Sequence, residues 1–169
     1  MALFAPALTY LLNSEGGRKE DPNDPGGRTN RGVTARNLVA FNRAHPEFGL
    51  PDDPWELSIP QTATFYRYAG YWSYDGVASQ RIATKLLDSD VLLGDATCVK
   101  MVQVLLGTKA DGLWGPATEA ALNAEHEDEF LAGFVDALVC RYAEIVAKHP
   151  SDQEYLAGWD TRARRLPDA

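Results

Sequence analysis

The chain has 169 residues, 45% apolar and 24% charged, with 16 basic and 24 acidic side chains for a formal net charge of −8. That apolar share excludes a disordered chain, and no run approaches the ~20 apolar residues that a membrane helix needs. The charge is uneven: residues 1–50 hold six basic and five acidic side chains, the remainder carries a net −9, and so acidic a body argues against general nucleic-acid binding.

The first element runs through Leu3, Ala7, Tyr10 and Leu11 at helical spacing, with Pro6 in its first turn. Met1 to Ser14 makes a poor export signal, because it lacks a basic start and Pro6 interrupts it. Action outside the cytoplasm then requires some other delivery. Gly16-Gly17 stop the helix, and an irregular stretch with Pro22, Pro25, Gly26, Gly27 and Gly32 follows from Arg18 to about Val33. Loops of that length inside compact domains are often functional. Helical patterning resumes at about Ala35 to Ala44 and ends at His45-Pro46.

A Pro-rich connection reaches Trp55, and Ser58 with Gln61 three positions on forms a capping box. The helix it opens carries Phe65, Tyr66 and Ala69 and is expected to run into Tyr71-Trp72. Further helices are expected over about Gln80–Leu92, Ala96–Leu106, Pro116–Leu122, Glu127–Lys148 and Gln153–Arg165. No run of five or more residues alternates cleanly, so no strand is expected. Cys98 and Cys140 each fall in an apolar helical pattern and are expected to be buried free thiols.

The fold class that follows is mainly α, with little or no β-sheet and one long irregular loop. Two regions are distinguished, residues 1–93 and 94–169, with so little linker between them that they are expected to pack as one body. A monomer is expected, without membrane insertion.

The loop and the residue before it carry the chemistry. Glu15 sits where the first helix ends, so it meets the negative end of the helix dipole, and Leu11 and Leu12 reduce its hydration. Both effects disfavour the carboxylate anion and raise its pKa, as a general acid at neutral pH requires. Gly16 and Gly17 leave room for a bulky substrate. The loop adds a second carboxylate, Asp24, hydroxyls on Thr29 and Thr34, and the Asn30 amide. One raised carboxylic acid with a second carboxylate or a water-holding group is the minimum set for glycoside hydrolysis. The competing readings are a solvated helix-end glutamate and plain turn chemistry in Asp24-Pro25-Gly26-Gly27.

The same residues resemble glycoside hydrolase family 108, bacterial and phage N-acetylmuramidases related to lysozyme. The resemblance rests on Glu15-Gly16-Gly17, Asp21-Pro22-Asn23-Asp24-Pro25-Gly26-Gly27, Thr29-Asn30 and Gly32-Val33-Thr34. It continues through Tyr66-Arg67 with Tyr71-Trp72, through Leu87-Asp88, and through a peptidoglycan-binding-like segment with Gln103 and Asp111-Gly112-Leu113-Trp114-Gly115-Pro116. It ends on Gly158-Trp159-Asp160-Thr161-Arg162.

The resemblance implies a lysozyme-like helical fold that cuts the β-1,4 bond between N-acetylmuramic acid and N-acetylglucosamine, with bacterial peptidoglycan as its partner. It implies Glu15 as the acid. Asp24 and Thr29 are the candidates for stabilising charge or holding water, with Asp21 or Thr34 as alternatives. Arg28 and Arg31 depart from the family pattern and suit the carboxylates of lactyl groups or stem peptides. A lytic transglycosylase and a non-catalytic wall-binding or secretion-accessory protein are the rival functions. An endolysin of this kind is expected to wait in the cytoplasm for a holin or a dedicated secretion route and to act on the periplasmic wall.

Asn30, Arg28, Thr34, Tyr71 and Trp72 are the candidate substrate-binding residues. The aromatic side chains among them offer flat faces for sugars, with core packing as the competing role. Arg162, Arg164 and Arg165 read as a solvated helix face. No cofactor and no metal are expected. The three histidines lack zinc-site spacing, and the Asp21-x-Asn23 stretch lacks two ligands of a calcium loop.

Overall fold

The computed structural model describes residues 1–14, 17–20 and 27–168. Helix α1 (Phe4–Ser14) is followed by a minimal hairpin, β1 (Thr29–Asn30) and β2 (Val33–Thr34), and by α2 (Ala35–Ala44). Two 3-10 turns, Pro46–Phe48 and Pro54–Glu56, lead to α3 (Ile59–Tyr68). Then come α4 (Gln80–Leu93), α5 (Asp95–Leu105), α6 (Pro116–Asn123), α7 (Glu127–Lys148), a 3-10 stretch Pro150–Tyr155 and α8 (Leu156–Arg164). The architecture is mainly α. No helix among the described residues is long and apolar enough to cross a membrane.

Helix α4 is the axis around which the others assemble. Nine consecutive residues, Ile82 to Asp90, are buried, so this helix has no solvent face along that stretch. Helix α1 covers one side through Ala7, Leu8 and Leu11, α5 covers another, and α7 with α8 packs beyond. Leu86 and Leu87 are fully buried, and each contributes about 2 kcal/mol of transfer free energy. Full burial also takes Lys85, Asp88 and Asp90 inside, and each must find a polar partner there.

Local chemistry fixes most helix ends. The Thr34 side chain caps α2 by accepting from Asn37 N, and Ser58 and Gln61 form both halves of the capping box on α3. Helix α3 stops at Tyr68 and does not run into Tyr71-Trp72, because the chain reverses at Gly70 with φ +89°, a conformation other residues resist. The last helix also starts later than its sequence pattern suggests, after the 3-10 stretch that Pro150 opens.

Of the two thiols, Cys98 is buried and Cys140 is exposed. Helix α7 buries Phe130, Leu131, Phe134, Leu138, Tyr142 and Val146. Cys140 lies midway between Leu138 and Tyr142 in the chain, which puts it on the opposite face of the helix.

The hairpin was not expected. Its strands pair Thr29 with Thr34 and Asn30 with Val33, and Lys19 bridges to Thr29. Two-residue strands are too short to show any alternation. Their turn, Arg31-Gly32, takes φ +50° and +79°, the double left-handed conformation of a tight two-residue hairpin turn. Arginine is not a residue that announces such a turn. Tertiary contacts hold it instead: the Tyr66 hydroxyl donates to Arg31 O at 2.7 Å, and Arg31 Nη1 donates to Leu57 O at 3.0 Å.

Candidate active site

Helix α1 delivers the chain to the site. It ends at Ser14, whose hydroxyl turns back to Tyr10 O at 3.0 Å. Glu15, Asp21 and Asp24 lie outside the described residues.

The hairpin forms one wall, and Trp55 holds it. The Trp55 indole N–H donates to Thr29 O at 3.3 Å, and its carbonyl accepts from Arg18 Nη2 at 2.7 Å. The Arg28 guanidinium lies 4.5 Å from the centre of its ring. Arg28 also pairs with Glu20 at 3.1 Å and with Asp53 at 2.7 Å. The Trp55 backbone N–H, and after it Arg28, hold the Asp53 carboxyl below its usual range. Asn30 is buried and donates from Nδ2 to Pro54 O at 2.8 Å.

Among the candidate residues of the loop, therefore, Arg28 and Asn30 are engaged in joining the hairpin to the Pro54–Glu56 turn. Thr34 is engaged as the α2 cap. Thr29 is half-buried, with its hydroxyl 3.5 Å from Gly27 O. Sequence reasoning did not single out Trp55. Its signal was a tryptophan in a Pro-rich connection, outside any helical apolar stripe.

The turn at Gly70 separates Tyr71 and Trp72 from α3. Trp72 is buried against Phe4 and Tyr74, and its indole N–H donates to Asp75 Oδ1 at 2.9 Å. That places it in the core. Tyr71 is half-buried, accepts from Asn37 Nδ2 at 3.4 Å, and lines a cavity of about 420 Å³ between α2 and α3 with Phe41, Phe65 and Tyr68.

A second cavity, of about 450 Å³, opens beside the end of α1. Ser14, Leu92 from α4, and Gly158, Trp159, Arg162 and Arg165 from the last helix and its exit line it. Trp159 packs against Tyr142 and Tyr155, with ring centres 5.5 and 5.9 Å away.

Arg162 is no solvated surface residue. Its Nε and Nη2 reach Asp88 Oδ1 at 3.0 and 2.9 Å, because α8 turns this face onto the buried side of α4. Lys85 joins them, with Nζ 3.6 Å from Asp88 Oδ2. The same ammonium donates to Arg162 O at 2.8 Å and to Arg165 O at 3.1 Å, where a cation meets the negative end of α8. Burial pushes the Lys85 ammonium below its usual pKa, against the pull of Asp88. Arg165 stacks on Tyr10 of α1 at 4.7 Å.

Farther away, the buried Gln103 amide organises the Asp111–Pro116 loop. It accepts from Gly112 N at 2.8 Å and donates to Asp111 Oδ1, Leu113 O and Thr118 Oγ1 at 3.0–3.2 Å. No group of three or more His, Cys, Asp or Glu side chains among the described residues is placed to hold a metal ion.

Comparison with known proteins matches this arrangement to two families. Residues 8–94 match Glycosyl hydrolase 108, and residues 97–164 match a Predicted Peptidoglycan domain. The solved structure of Brucella abortus SagA is similar, with a TM-score of 0.70 and 26% identity over 95% of this chain and 92% of that one. No curated protein matches. Since the first family spans just over half of its residues, and the second continues from residue 97 to the end of the last helix, the chain belongs to the glycosyl hydrolase 108 family and carries a peptidoglycan domain.

Proposed function

We propose that the protein is an endolysin-type N-acetylmuramidase, which hydrolyses the β-1,4 bond between N-acetylmuramic acid and N-acetylglucosamine on the periplasmic wall. In this reading it waits in the cytoplasm for a holin or a dedicated secretion route. One observation carries the proposal. A glycosyl hydrolase segment that includes Glu15-Gly16-Gly17 is joined through the Asp88–Arg162 pair to a segment of a peptidoglycan domain.

Glu15 donates its carboxyl proton to the glycosidic oxygen. The bond from muramic C1 to that oxygen breaks, and the electron pair leaves with the 4-hydroxyl of N-acetylglucosamine. Positive charge develops at C1 and the ring oxygen. Water then adds to C1, its proton passes to a carboxylate, and a reducing muramic end remains. Asp24 is the candidate for that carboxylate or for facing the developing charge, and Thr29 for holding the water. The wall built on Trp55 keeps Thr29 in place through its backbone.

Digestion of purified peptidoglycan followed by mass spectrometry of the new ends tests this reading. Reducing muramic ends are expected. Anhydro-muramic ends would make the protein a transglycosylase, and the absence of cleavage would leave a wall-binding or secretion-accessory protein. Glu15→Gln should lower the rate by at least about 100-fold, because it removes the transferable proton. Asp24→Asn and Thr29→Val divide the second role: the group that matters loses rate with little change in KM.

A further inference from the structure

The cavity beside the end of α1 has properties that neither family match assigns. Its walls come from both segments: Ser14 and Leu92 from one, and Gly158, Trp159 and Arg162 from the other. No described residue lining it is acidic, although the chain as a whole carries −8. Lys85 lies just behind, so cationic groups concentrate here. Trp159 lines the cavity with an aromatic ring whose orientation is fixed by packing against Tyr142 and Tyr155.

Gly158 adds a separate argument. It sits in the first turn of α8 without a left-handed φ, and no described residue lies within 4 Å of a Cβ added there. Neither backbone geometry nor packing against the described residues asks for glycine, which weakens a helix. What its missing side chain does is keep the cavity wall clear.

We infer that this cavity binds a carboxylate-bearing muramoyl unit of the glycan. Trp159 takes the apolar face of the sugar and Arg165 takes the carboxylate, while Arg162, held by Asp88, adds positive charge to the wall. A planar guanidinium fork suits a carboxylate, and an aromatic ring suits the C–H face of a pyranose. The carboxylate belongs either to the lactyl group of a peptide-free muramic acid or to the stem peptide. The inference rests on the muramidase reading for its substrate class. It adds that the peptidoglycan domain supplies part of a substrate site beside the end of α1 and does not bind the polymer at a distance.

Calorimetric titration of the full chain bearing Glu15→Gln tests this without turnover. The probes are a tetrasaccharide of alternating N-acetylglucosamine and N-acetylmuramic acid, the same glycan with stem peptides, and neutral chitotetraose. At least one muramoyl glycan should bind about tenfold tighter than chitotetraose, as a charge-assisted contact provides. Tighter binding of the peptide-free form identifies the lactyl carboxylate, and tighter binding of the stem-bearing form identifies the peptide.

Adding Arg165→Gln should remove most of that preference while chitotetraose affinity stays within about twofold. Adding Gly158→Leu should weaken both ligands by about tenfold or more without lowering Tm, since leucine is the better helix former. Equal affinity for neutral and muramoyl glycans, or undiminished binding with Gly158→Leu, overturns the inference. Binding as expected beside an absence of cleavage in the wild type would overturn the muramidase reading instead.

Discussion

Asp90 shows what full burial of α4 imposes on one side chain. It accepts from the Tyr74 hydroxyl at 2.7 Å, and both groups are buried. Burial pushes the Asp90 carboxyl well above the usual carboxylate range, and the nearby Asp95 adds to the rise. Tyr74 and Cys98 face it and are pushed up as well. The folded state therefore favours neutral Asp90. Its contribution to stability is complete below the unfolded value of about 4 and is lost as pH rises through the folded value. Asp90→Asn keeps an acceptor for Tyr74 and has no proton to lose. Its Tm relative to wild type should thus climb from pH 4 to pH 8, and a difference that stays flat across thermal melts would count against a neutral Asp90. The sequence pattern gives a helix at 80–92, but a helix buried all round has no stripe that marks which polar residues are internal.

Among the elements, those governed by local signals were legible. Helices α2 and α7 have the bounds that their caps and breakers indicate, Ala35–Ala44 and Glu127–Lys148. The hairpin, the stop at Gly70 and the inward face of α8 were not legible, because partners far along the chain decide them: Tyr66 for Arg31, and Asp88 for Arg162. The candidate site was legible to the same extent. Its motif residues stood out, whereas Trp55, which braces the hairpin, did not. Gln103 lies between the two cases. It is noticeable beside the Asp111–Pro116 loop, but its role depends on a buried amide meeting four groups at once. Gln103→Leu strands Gly112 N–H and frees the loop, so it should cost about 3 kcal/mol of unfolding free energy. Urea denaturation reads that loss, with the loop end of α5 as the first region to exchange amide protons.

For the whole molecule, Asp88 is one of the carboxylates that join the two segments, beside Glu127 and Asp128 on Arg81. Asp88 pairs with two cations, the buried Lys85 on its own helix and the half-buried Arg162 on α8. Asp88→Asn leaves the buried Lys85 ammonium uncompensated and takes a carboxylate from Arg162, and it should cost about 3–5 kcal/mol. Tryptophan fluorescence and near-ultraviolet circular dichroism should still report a single transition, because tryptophans lie on both sides of the joint. Two separated transitions would mean that the segments fold independently. The same joint has a temporal meaning. Lys85 closes on carbonyls 77 and 80 residues ahead of it, and Tyr10 closes on one 155 residues ahead. A ribosome must therefore have released the chain through Arg165 before α4 can neutralise its interior, so a nascent chain short of that point has neither a finished core nor a finished cleft.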